Sequence, residues 1–343
     1  MLDDVKMIHE RDAQDALGIA EKQWQQLQIS FDLPAVEGPI ENVVHAGMGG
    51  SALWALVSQS WPHYTVPFEL CRDYDIPAYV GSNTLFIASS YSGNTEETLA
   101  ALEQAEARGA KIAVITGGGK LTELAQTKGY PLALLPKFEQ PRFALLAGFK
   151  ALITLLERAS LVSADDAEAT IHQAGEFLKT VIETWKPTVP TKDNPAKQLA
   201  QELMGKAPVV YAGPKLFPAA YKWKISFNEN AKNVAWCNQL PEFNHNEFNG
   251  WVSHPIDKPY AVVDLRSSLE HPRVQKRFEV TERLLSGKRP RTHVVQAQGE
   301  TLLEQLVWTI AYGDFVSLYL ALLNGLNPTP VEYVEKFKKA LDE

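Results

Sequence analysis

Short apolar runs alternate with amphipathic stretches along the first part of the chain. The runs have the length and β-branched content of buried strands, whereas the stretches between them space their apolar residues as helices do. The strands predicted from this pattern are Asn42–Ala46, Val66–Cys71, Thr84–Ser89, Lys111–Thr116 and Leu132–Leu135. The helices predicted between them are Ser51–Ser60, Glu96–Arg108 and Leu121–Lys128. Strands that alternate with helices predict βαβ units and a parallel sheet, with ligands at the carboxyl ends of the strands.

The same alternation returns after two long predicted helices, Arg142–Ala159 and Ala164–Trp185, and a segment rich in proline, Lys186–Pro195. The helices predicted beyond it are Ala196–Lys206, Pro218–Asn228 and His271–Leu285. The strands predicted there are Val209–Ala212, Tyr260–Leu265 and Thr292–Gln296. We therefore predict two related α/β subdomains, at residues 1–160 and 196–343, joined by a connecting helix and linker at residues 161–195.

The longest apolar tract, Leu302–Leu326, contains Glu304 and Asp314. It therefore predicts a buried helix or helix pair and not a membrane span. The first residues of the chain are charged and form no apolar run of the kind that a secretory signal contains. We expect a cytoplasmic protein with no membrane partner.

Composition narrows the class of protein further. A length of 343 residues favours two domains, and 45% apolar with 22% charged residues is typical of a folded chain. A net charge of -8 argues against a nucleic-acid partner, since binding to phosphate backbones needs a basic face. The two cysteines, Cys71 and Cys237, have no metal-ligand spacing and are expected to be reduced thiols.

The first predicted strand runs into a glycine loop, His45–Ala52 (HAGMGGSA), that has two interpretations. Its spacing fits the dinucleotide motif G-x-G-x-x-A, with Glu69 near the offset of a ribose-binding acid, which would indicate an NAD enzyme. Alternatively, the amides of Gly49 and Gly50 and the hydroxyl of Ser51 would bind a phosphate at a helix N-terminus. The loop alone does not decide between the dinucleotide interpretation and the phosphate interpretation.

The third predicted strand runs into a turn crowded with hydroxyl groups, Ser89–Thr95 (SSYSGNT). A phosphate monoester has three acceptor oxygens, which several neutral donors beside free helical amides can satisfy. The alternative is a helix N-cap formed by Ser92 or Thr95, and we expect one such cap in any case. Because a cap needs one hydroxyl and the turn carries four, we interpret the turn as a phosphate site.

These two loops and four later segments together carry a family resemblance. Gly49–Ser51 followed by Ser90–Thr98 (SYSGNTEET) resembles the SIS (sugar isomerase) domain. The further landmarks are Pro141–Ala144 (PRFA), Phe227–Lys232 (FNENAK), Glu242–Trp251 (EFNHNEFNGW) and Asn327–Leu341 (NPTPVEYVEKFKKAL). In content and order they are similar to one branch of that family, the bifunctional phosphoglucose/phosphomannose isomerases, and they span nearly the whole chain.

The resemblance implies an α/β fold of two SIS-type subdomains, each a doubly wound, flavodoxin-like parallel sheet flanked by helices. It implies an aldose–ketose isomerase that interconverts glucose 6-phosphate, and mannose 6-phosphate, with fructose 6-phosphate through a cis-enediol. Thr329 lies in the region where the second epimer would be accommodated. The enzyme is expected to be a homodimer without metal or organic cofactor. Its phosphate-binding residues would be Gly49, Gly50, Ser51, Ser90, Ser92 and Thr95.

The resemblance also implies catalytic roles for four residues. Arg142 would stabilise the enediolate with a charge that it cannot lose at working pH. Glu229 would be the base that carries the proton between C1 and C2. His245 and Lys338 would assist ring opening, with His245 reaching into the partner subunit's site.

Sequence chemistry leaves rivals for several of these roles. His254 lies close to His245, and Lys336 and Lys339 adjoin Lys338. The other candidate bases are Glu202, Glu242 and Glu247.

Three other functions compete with the isomerase interpretation. A non-catalytic sugar-phosphate sensor would keep the hydroxyl turn but would not need Glu229, Arg142 or His245. A relative of glucosamine-6-phosphate synthase would carry an N-terminal glutaminase domain with a leading cysteine, and a dinucleotide dehydrogenase would not need the hydroxyl turn. The first loop ends in Ala52 where the family commonly has glycine, and we expect phosphate binding to survive the added methyl group.

Overall fold

The structure is a computed structural model that describes residues 1–162, 166–253 and 259–341. Its strands are β1 (Asn42–Ala46), β2 (Phe68–Cys71), β3 (Thr84–Ser90), β4 (Lys111–Thr116), β5 (Leu132–Leu134), β6 (Ala207–Ala212), β7 (Trp236–Gln239), β8 (Tyr260–Arg266) and β9 (His293–Gln296). Its helices are α1 (Val5–Arg11), α2 (Ala16–Glu21), α3 (Gly49–Ser58), α4 (Glu96–Ala107), α5 (Gly119–Lys128), α6 (Leu145–Arg158), α7 (Ala167–Ile182), α8 (Pro195–Leu203), α9 (Phe217–Glu229), α10 (Glu247–Gly250), α11 (Pro272–Leu284), α12 (Leu302–Leu323) and α13 (Glu332–Leu341). Each predicted strand and helix is present, with small shifts at its ends, although the predicted helix start at Ala164 lies outside the described residues.

The first unit, Gln23–Glu176, is built on a parallel sheet in the order β2-β1-β3-β4-β5. All seven residues of β3 are buried, as expected for a central strand covered on both faces. From β2 the chain crosses over β1 to reach β3, so the strand order reverses between β1 and β3. Open α/β sheets bind their ligands at such a reversal, beyond the carboxyl ends of the strands.

The second unit, Met1–Lys22 with Phe177–Glu343, contains a parallel sheet in the order β7-β6-β8-β9. Its edge strand β7 was not predicted, because the sequence Trp-Cys-Asn-Gln contains no apolar run. Trp236 is exposed and the other three residues are half-buried, and the strand pairs along its whole length with β6.

The N-terminal residues and the proline-rich segment pack within this second unit. Lys197, on α8, is fully buried, and its ammonium group donates to Asp3 Oδ1 (3.1 Å) and to the carbonyl oxygens of Pro187 and Val189 (2.8 Å each). The packing divides the chain after residues 22 and 176, whereas the alternation of strands and helices and the proline-rich segment predicted limits at residues 160 and 195. The sequence pattern could not indicate the difference, because it depends on contacts between distant segments.

Helix α12 is the one helix among the described residues that is long and apolar enough to cross a membrane. Of its most apolar window, 94% is buried inside the protein, so it is a core helix. It begins with a capping box in which Thr301 and Glu304 bond to each other's main-chain amides. The prediction of a buried helix is confirmed, in the form of a single helix and not a pair.

A ladder of buried polar contacts joins α9 to α12. Lys222, Ser226 and Asn230 follow at four-residue spacing and share one face. Lys222 and Ser226 both donate to Asp314 Oδ1 (2.9 Å from Ser226), and Asn230 donates to Ser317 Oγ (2.9 Å). The ladder fixes the rotation of α9 about its axis, and thereby the direction in which its last residues leave the helix.

We predict that Asp314→Ala destabilises the protein by about 3–5 kcal/mol, because it leaves the ammonium group of Lys222 buried without a counter-charge. Urea unfolding would measure the change. The double variant Lys222→Met with Asp314→Leu is expected to regain most of the loss, since it removes both charges together. Glu279→Ala, which breaks an exposed ion pair with Lys276, serves as the control and should change stability little. Equal losses in Asp314→Ala and Glu279→Ala would contradict the prediction.

Candidate functional site

The two loops singled out by the sequence meet at one edge of the first sheet. Strands β1 and β3 are parallel neighbours, with Ala46 opposite Ala88, so both loops leave the sheet at the same end. Ser51, in the first turn of α3, accepts a hydrogen bond at its Oγ from the N–H of Tyr91 in the second loop (2.9 Å). The glycine loop and the hydroxyl turn are therefore directly bonded.

The hydroxyl groups of the second loop form one cluster, which we call the hydroxyl cradle (Ser90, Ser92 and Thr95). Ser90 Oγ lies 2.7 Å from Thr95 Oγ1 and 3.3 Å from Ser92 Oγ. Ser90 is buried, Thr95 is half-buried and Ser92 is exposed, so the cradle runs from the core to the surface. Ser90 Oγ and Ser92 Oγ also accept from the N–H groups of Gly93 (3.1 Å) and Asn94 (3.3 Å), and a hydroxyl hydrogen rotates to suit a new acceptor. The cradle can thus donate to an anion that approaches from solvent.

The prediction that a side chain caps helix α4 is wrong. Thr95 occupies the N-cap position but makes no capping hydrogen bond, because its hydroxyl lies against Ser90. Helix α3 likewise has Met48 at its N-cap position and no side-chain cap. The first N–H groups of both helices therefore have no capping side chain, and helix N-termini of this kind attract anions.

A glycine loop that was not predicted to be part of the site packs against the turn that carries the cradle. Gly117–Gly119 follows β4, the neighbour of β3. A Cβ on Gly93 would lie 1.7 Å from Gly118 O, and one on Gly119 would lie 2.4 Å from Ser92 O. The main chains of the two loops are thus in direct contact, which only glycine allows. Three successive glycines at the end of a neighbouring strand were the signal that could have revealed this support.

Arg142 lies next to the glycine loop. It belongs to a 3-10 turn, Pro141–Ala144, that precedes α6, so the prediction that it starts an α-helix is only approximately correct. A Cβ on Gly50 would lie 3.0 Å from the carbonyl carbon of Pro141 and 3.2 Å from Arg142 N. The Arg142 side chain is buried, and its guanidinium lies 4.6 Å from the ring centre of Phe143. The structure therefore brings Gly50, Ser51, the cradle and the Arg142 segment together.

His45 lies on β1, directly before the glycine loop, and is fully buried. Its Nε2 is 3.3 Å from Ser51 O, and because a carbonyl only accepts, Nε2 carries the proton. Burial lowers the pKa of His45 to about 4, so the ring stays neutral at physiological pH. His45 thus contributes a neutral donor that holds the turn carrying Ser51.

In the second unit, Glu229 is half-buried and is the last residue of α9, which ends one residue beyond the predicted helix end at Asn228. Of the rival bases, Glu247 is engaged at both carboxylate oxygens, by the hydroxyl of Tyr211 and by Asn238 Nδ2 (2.7 Å). Glu242 accepts from Asn246 Nδ2 (2.5 Å), and Glu202 is exposed on α8.

His245 is exposed and ends the 3-10 turn Glu242–His245. A second short helical turn, α10, follows it directly, and the side chain of Glu247 in that turn is bonded to residues of β6 and β7. Tyr211, which donates to Glu247, also accepts a hydrogen bond at its hydroxyl group from Trp251 Nε1 (3.0 Å), and this contact is buried. The rival His254 lies outside the described residues.

Lys338 lies on α13, no residue of which is buried, and its ammonium group donates to Glu335 Oε1 (3.0 Å). Its rival Lys336 lies 5.1 Å from the ring centre of Tyr333. Among the residues that the structure describes, no group of three or more His, Cys, Asp or Glu side chains could hold a metal ion. Burial raises the pKa of the free thiol of Cys237 to about 11.

Known proteins resemble the chain over most of its length. Residues 44–158 match the SIS domain, and residues 192–341 match the bacterial phospho-glucose isomerase C-terminal SIS domain. A bifunctional phosphoglucose/phosphomannose isomerase of Caldicellulosiruptor bescii is 38% identical over 308 residues, which cover 89% of this chain and 90% of that protein. A D-glucosamine-6-phosphate 4-epimerase of Sulfolobus acidocaldarius is 36% identical over 245 residues, which cover 71% and 74%.

Solved structures show the same architecture. A glucose-6-phosphate isomerase like protein from Thermus thermophilus aligns with 98% of this chain and 98% of its own, at a TM-score of 0.68. The two chains are 19% identical, so this likeness concerns the fold.

We predict that Gly50→Ala weakens the binding of inorganic phosphate by about tenfold, because the added methyl group displaces the Pro141–Arg142 peptide by a few tenths of an ångström. Isothermal titration calorimetry would measure the affinity. Gly81→Ala is a matched control from the same unit, where the nearest atom to a Cβ is 3.9 Å away. Equal phosphate affinity in the two variants would show that the contact at Gly50 has no bearing on the anion.

Proposed function

The chain belongs to the bifunctional phosphoglucose/phosphomannose isomerase family, and from that premise we propose how its residues divide the chemistry. The resemblance found in the sequence, the fold of two SIS-type parallel sheets and the assignment as an enzyme are confirmed. The chain is an aldose–ketose isomerase that acts on a small sugar phosphate. The reaction is the interconversion of glucose 6-phosphate with fructose 6-phosphate through a cis-enediol, and we propose that mannose 6-phosphate is accepted as well.

The phosphate group is held by Ser51 and the hydroxyl cradle, beside the amides of Gly49 and Gly50. The observation that carries this assignment is the convergence of four hydroxyl side chains where two neighbouring strands end, at two helix N-termini without side-chain caps. Neutral donors and helix dipoles suit a dianion, because they supply several hydrogen bonds to its oxygens.

Glu229 is the base that removes the proton from one carbon of the opened sugar and returns it to the other. A carboxylate that reaches both carbons can carry the proton in both directions. Arg142 stabilises the negative charge of the enediolate, and its burial favours this role because a charge acts more strongly away from water. Engagement of Glu247 by Tyr211 and Asn238 argues against that residue as the base.

His245 and Lys338 open the sugar ring by moving protons to and from the ring oxygen. His245 acts in the site of the partner subunit of a homodimer, and its exposure in the single chain fits that role. Substrates of this kind are charged intracellular metabolites, so we place the enzyme in the cytoplasm, in glycolysis or gluconeogenesis.

We predict that Glu229→Gln lowers kcat for conversion of fructose 6-phosphate by about 10²–10⁴, because the amide cannot take up the proton. Substrate affinity should change little, since the side chain keeps its size. A coupled assay would measure the rate. Glu202→Gln, an exposed carboxylate of the same unit, is the control and should turn over normally. Unchanged turnover in Glu229→Gln would remove Glu229 from the mechanism.

The same assay tests the substrate range. Wild-type enzyme would be offered glucose, mannose, fructose and glucosamine 6-phosphates separately. Activity on glucose but not mannose 6-phosphate would overturn the dual specificity alone. Conversion of glucosamine 6-phosphate without any aldose–ketose exchange would instead favour the chemistry named for the epimerase relative.

We predict that mixed dimers show whether the His245 that completes a site comes from the partner subunit or from the same chain. Glu229→Gln and His245→Ala chains would each be inactive alone. If His245 crosses the interface, half of a random mixture is heterodimer with one intact site, so activity returns to about a quarter of the wild-type value. If His245 acts within its own chain, no mixed dimer contains an intact site and no activity returns. Unfolding and refolding the two variants together, followed by the coupled assay, decides between these outcomes.

A further inference from the structure

Tyr91 links the main-chain elements of the phosphate site in the first unit. Its N–H donates to Ser51 Oγ (2.9 Å), and its carbonyl accepts from the N–H of Gly117 (3.0 Å). Its ring lies against Gly117, where a Cβ would come within 3.1 Å of a ring carbon. The main chain and ring of Tyr91 are therefore held at the sheet edge without any help from its hydroxyl group.

The hydroxyl group of Tyr91 contacts a different segment, the one that leads to Arg142. It lies 3.2 Å from the carbonyl oxygen of Pro136 and 3.1 Å from that of Phe138, and it accepts a hydrogen bond from the N–H of Phe138. A phenol has one proton to donate and lone pairs with which to accept. This hydroxyl group can therefore donate to one of the two carbonyl oxygens while it accepts from the N–H of Phe138. Desolvation raises the pKa of Tyr91, so the group keeps its proton.

This segment has no regular structure of its own between the end of β5 and the turn at Pro141. On the far side of Arg142, Gln26 Nε2 donates to the carbonyl oxygen of Phe143 (2.7 Å). Arg142 therefore lies between two side-chain anchors, Gln26 after it and Tyr91 before it. Only Tyr91 of these two anchors is also bonded to Ser51.

We propose that Tyr91 is a positioning residue, which sets the place of the Arg142 guanidinium relative to the bound phosphate. The proposal rests on the proposed function, in which Arg142 stabilises the enediolate. One residue carries the contact with Ser51 on its main chain and the contact with the Arg142 segment on its side chain. The position of Arg142 is thereby tied to the residues that bind the phosphate. A displacement of a catalytic group by about 1 Å can lower a rate by up to about 100-fold, so such an anchor has a measurable effect.

Tyr91→Phe tests the proposal because it removes only the hydroxyl group and keeps the ring and the main-chain contacts. We expect kcat to fall about tenfold, while KM and the inhibition constant of inorganic phosphate stay within about twofold. Tyr130→Phe is the matched control. It removes a phenol that donates to Glu106 Oε1 (2.8 Å) in the same unit, and it should leave all three constants unchanged. A loss of phosphate affinity equal to the loss of kcat would overturn the proposal.

A double-mutant cycle with Arg142→Gln shows whether Tyr91 acts through the arginine. If it does, Tyr91→Phe has little further effect on kcat once the guanidinium is gone, so the two losses are far from additive. Fully additive losses would overturn the proposal, since the hydroxyl group would then act independently of Arg142.

Amide hydrogen exchange separates failure of this inference from failure of the proposed function. Peptides that cover residues 136–143 should exchange faster in Tyr91→Phe than in the wild type or in Tyr130→Phe. Unchanged exchange, with Arg142→Gln still impaired, would overturn the positioning role alone. Normal turnover in Arg142→Gln would overturn the role of Arg142 in the proposed function and the positioning role with it.

Discussion

The turn that carries the hydroxyl cradle is held in place by main-chain contact with the glycine loop after β4. A Cβ on Gly93 would lie 1.7 Å from Gly118 O, so no side chain separates the two loops. Thr116 Oγ1 adds a hydrogen bond to Ser90 O (2.7 Å), and Asn94 Oδ1 accepts from Lys120 N (3.1 Å). The main chain that carries the cradle is therefore fixed by contacts with neighbouring peptide groups. Donors fixed in this way need not reorganise when charge arrives, and this is the condition under which hydrogen bonds stabilise an anion best.

The second unit fixes two of its candidate catalytic groups, Glu229 and His245, by a related arrangement, in which a polar contact with the protein interior lies close in sequence to each. Asn230, fully buried and bonded to Ser317, directly follows Glu229 at the end of α9. Glu247, bonded to Tyr211, follows His245 by two residues. Buried polar groups are costly unless each finds its partner, so they specify one packing arrangement. The main chain of a residue at the end of such an element therefore has a well-defined position, while its own side chain remains accessible.

The sequence predicted the parts of the fold that depend on local pattern. Apolar periodicity located every strand except β7, and the hydroxyl-rich end of β3 indicated a candidate phosphate site, because the carboxyl ends of parallel strands share one edge. The parts that depend on distant contacts were missed. Strand β7 is recognisable only by its pairing with β6, and Thr95 fails to cap α4 because its hydroxyl turns towards Ser90. The link from Tyr91 to Phe138 spans 47 positions, and no local pattern indicates it.

The two sheets share a plan of strand, glycine and helix, yet the second carries an acidic side chain at the corresponding place. A Cβ on Gly213, after β6, would lie 2.2 Å from Glu270 Oε2, so a carboxylate already occupies that position. The hydroxyl groups of Ser267 and Ser268, after β8, are both bonded to Gln305 (2.6 and 2.8 Å). An anion there would meet a like charge, and the Ser267 hydroxyl already donates to Gln305 Oε1. Helix α9 runs back from that edge for 13 residues, about 20 Å, and ends at Glu229. The candidate base therefore lies at the end of the second sheet opposite to those loops, whereas the hydroxyl cradle lies at the carboxyl ends of the strands of the first.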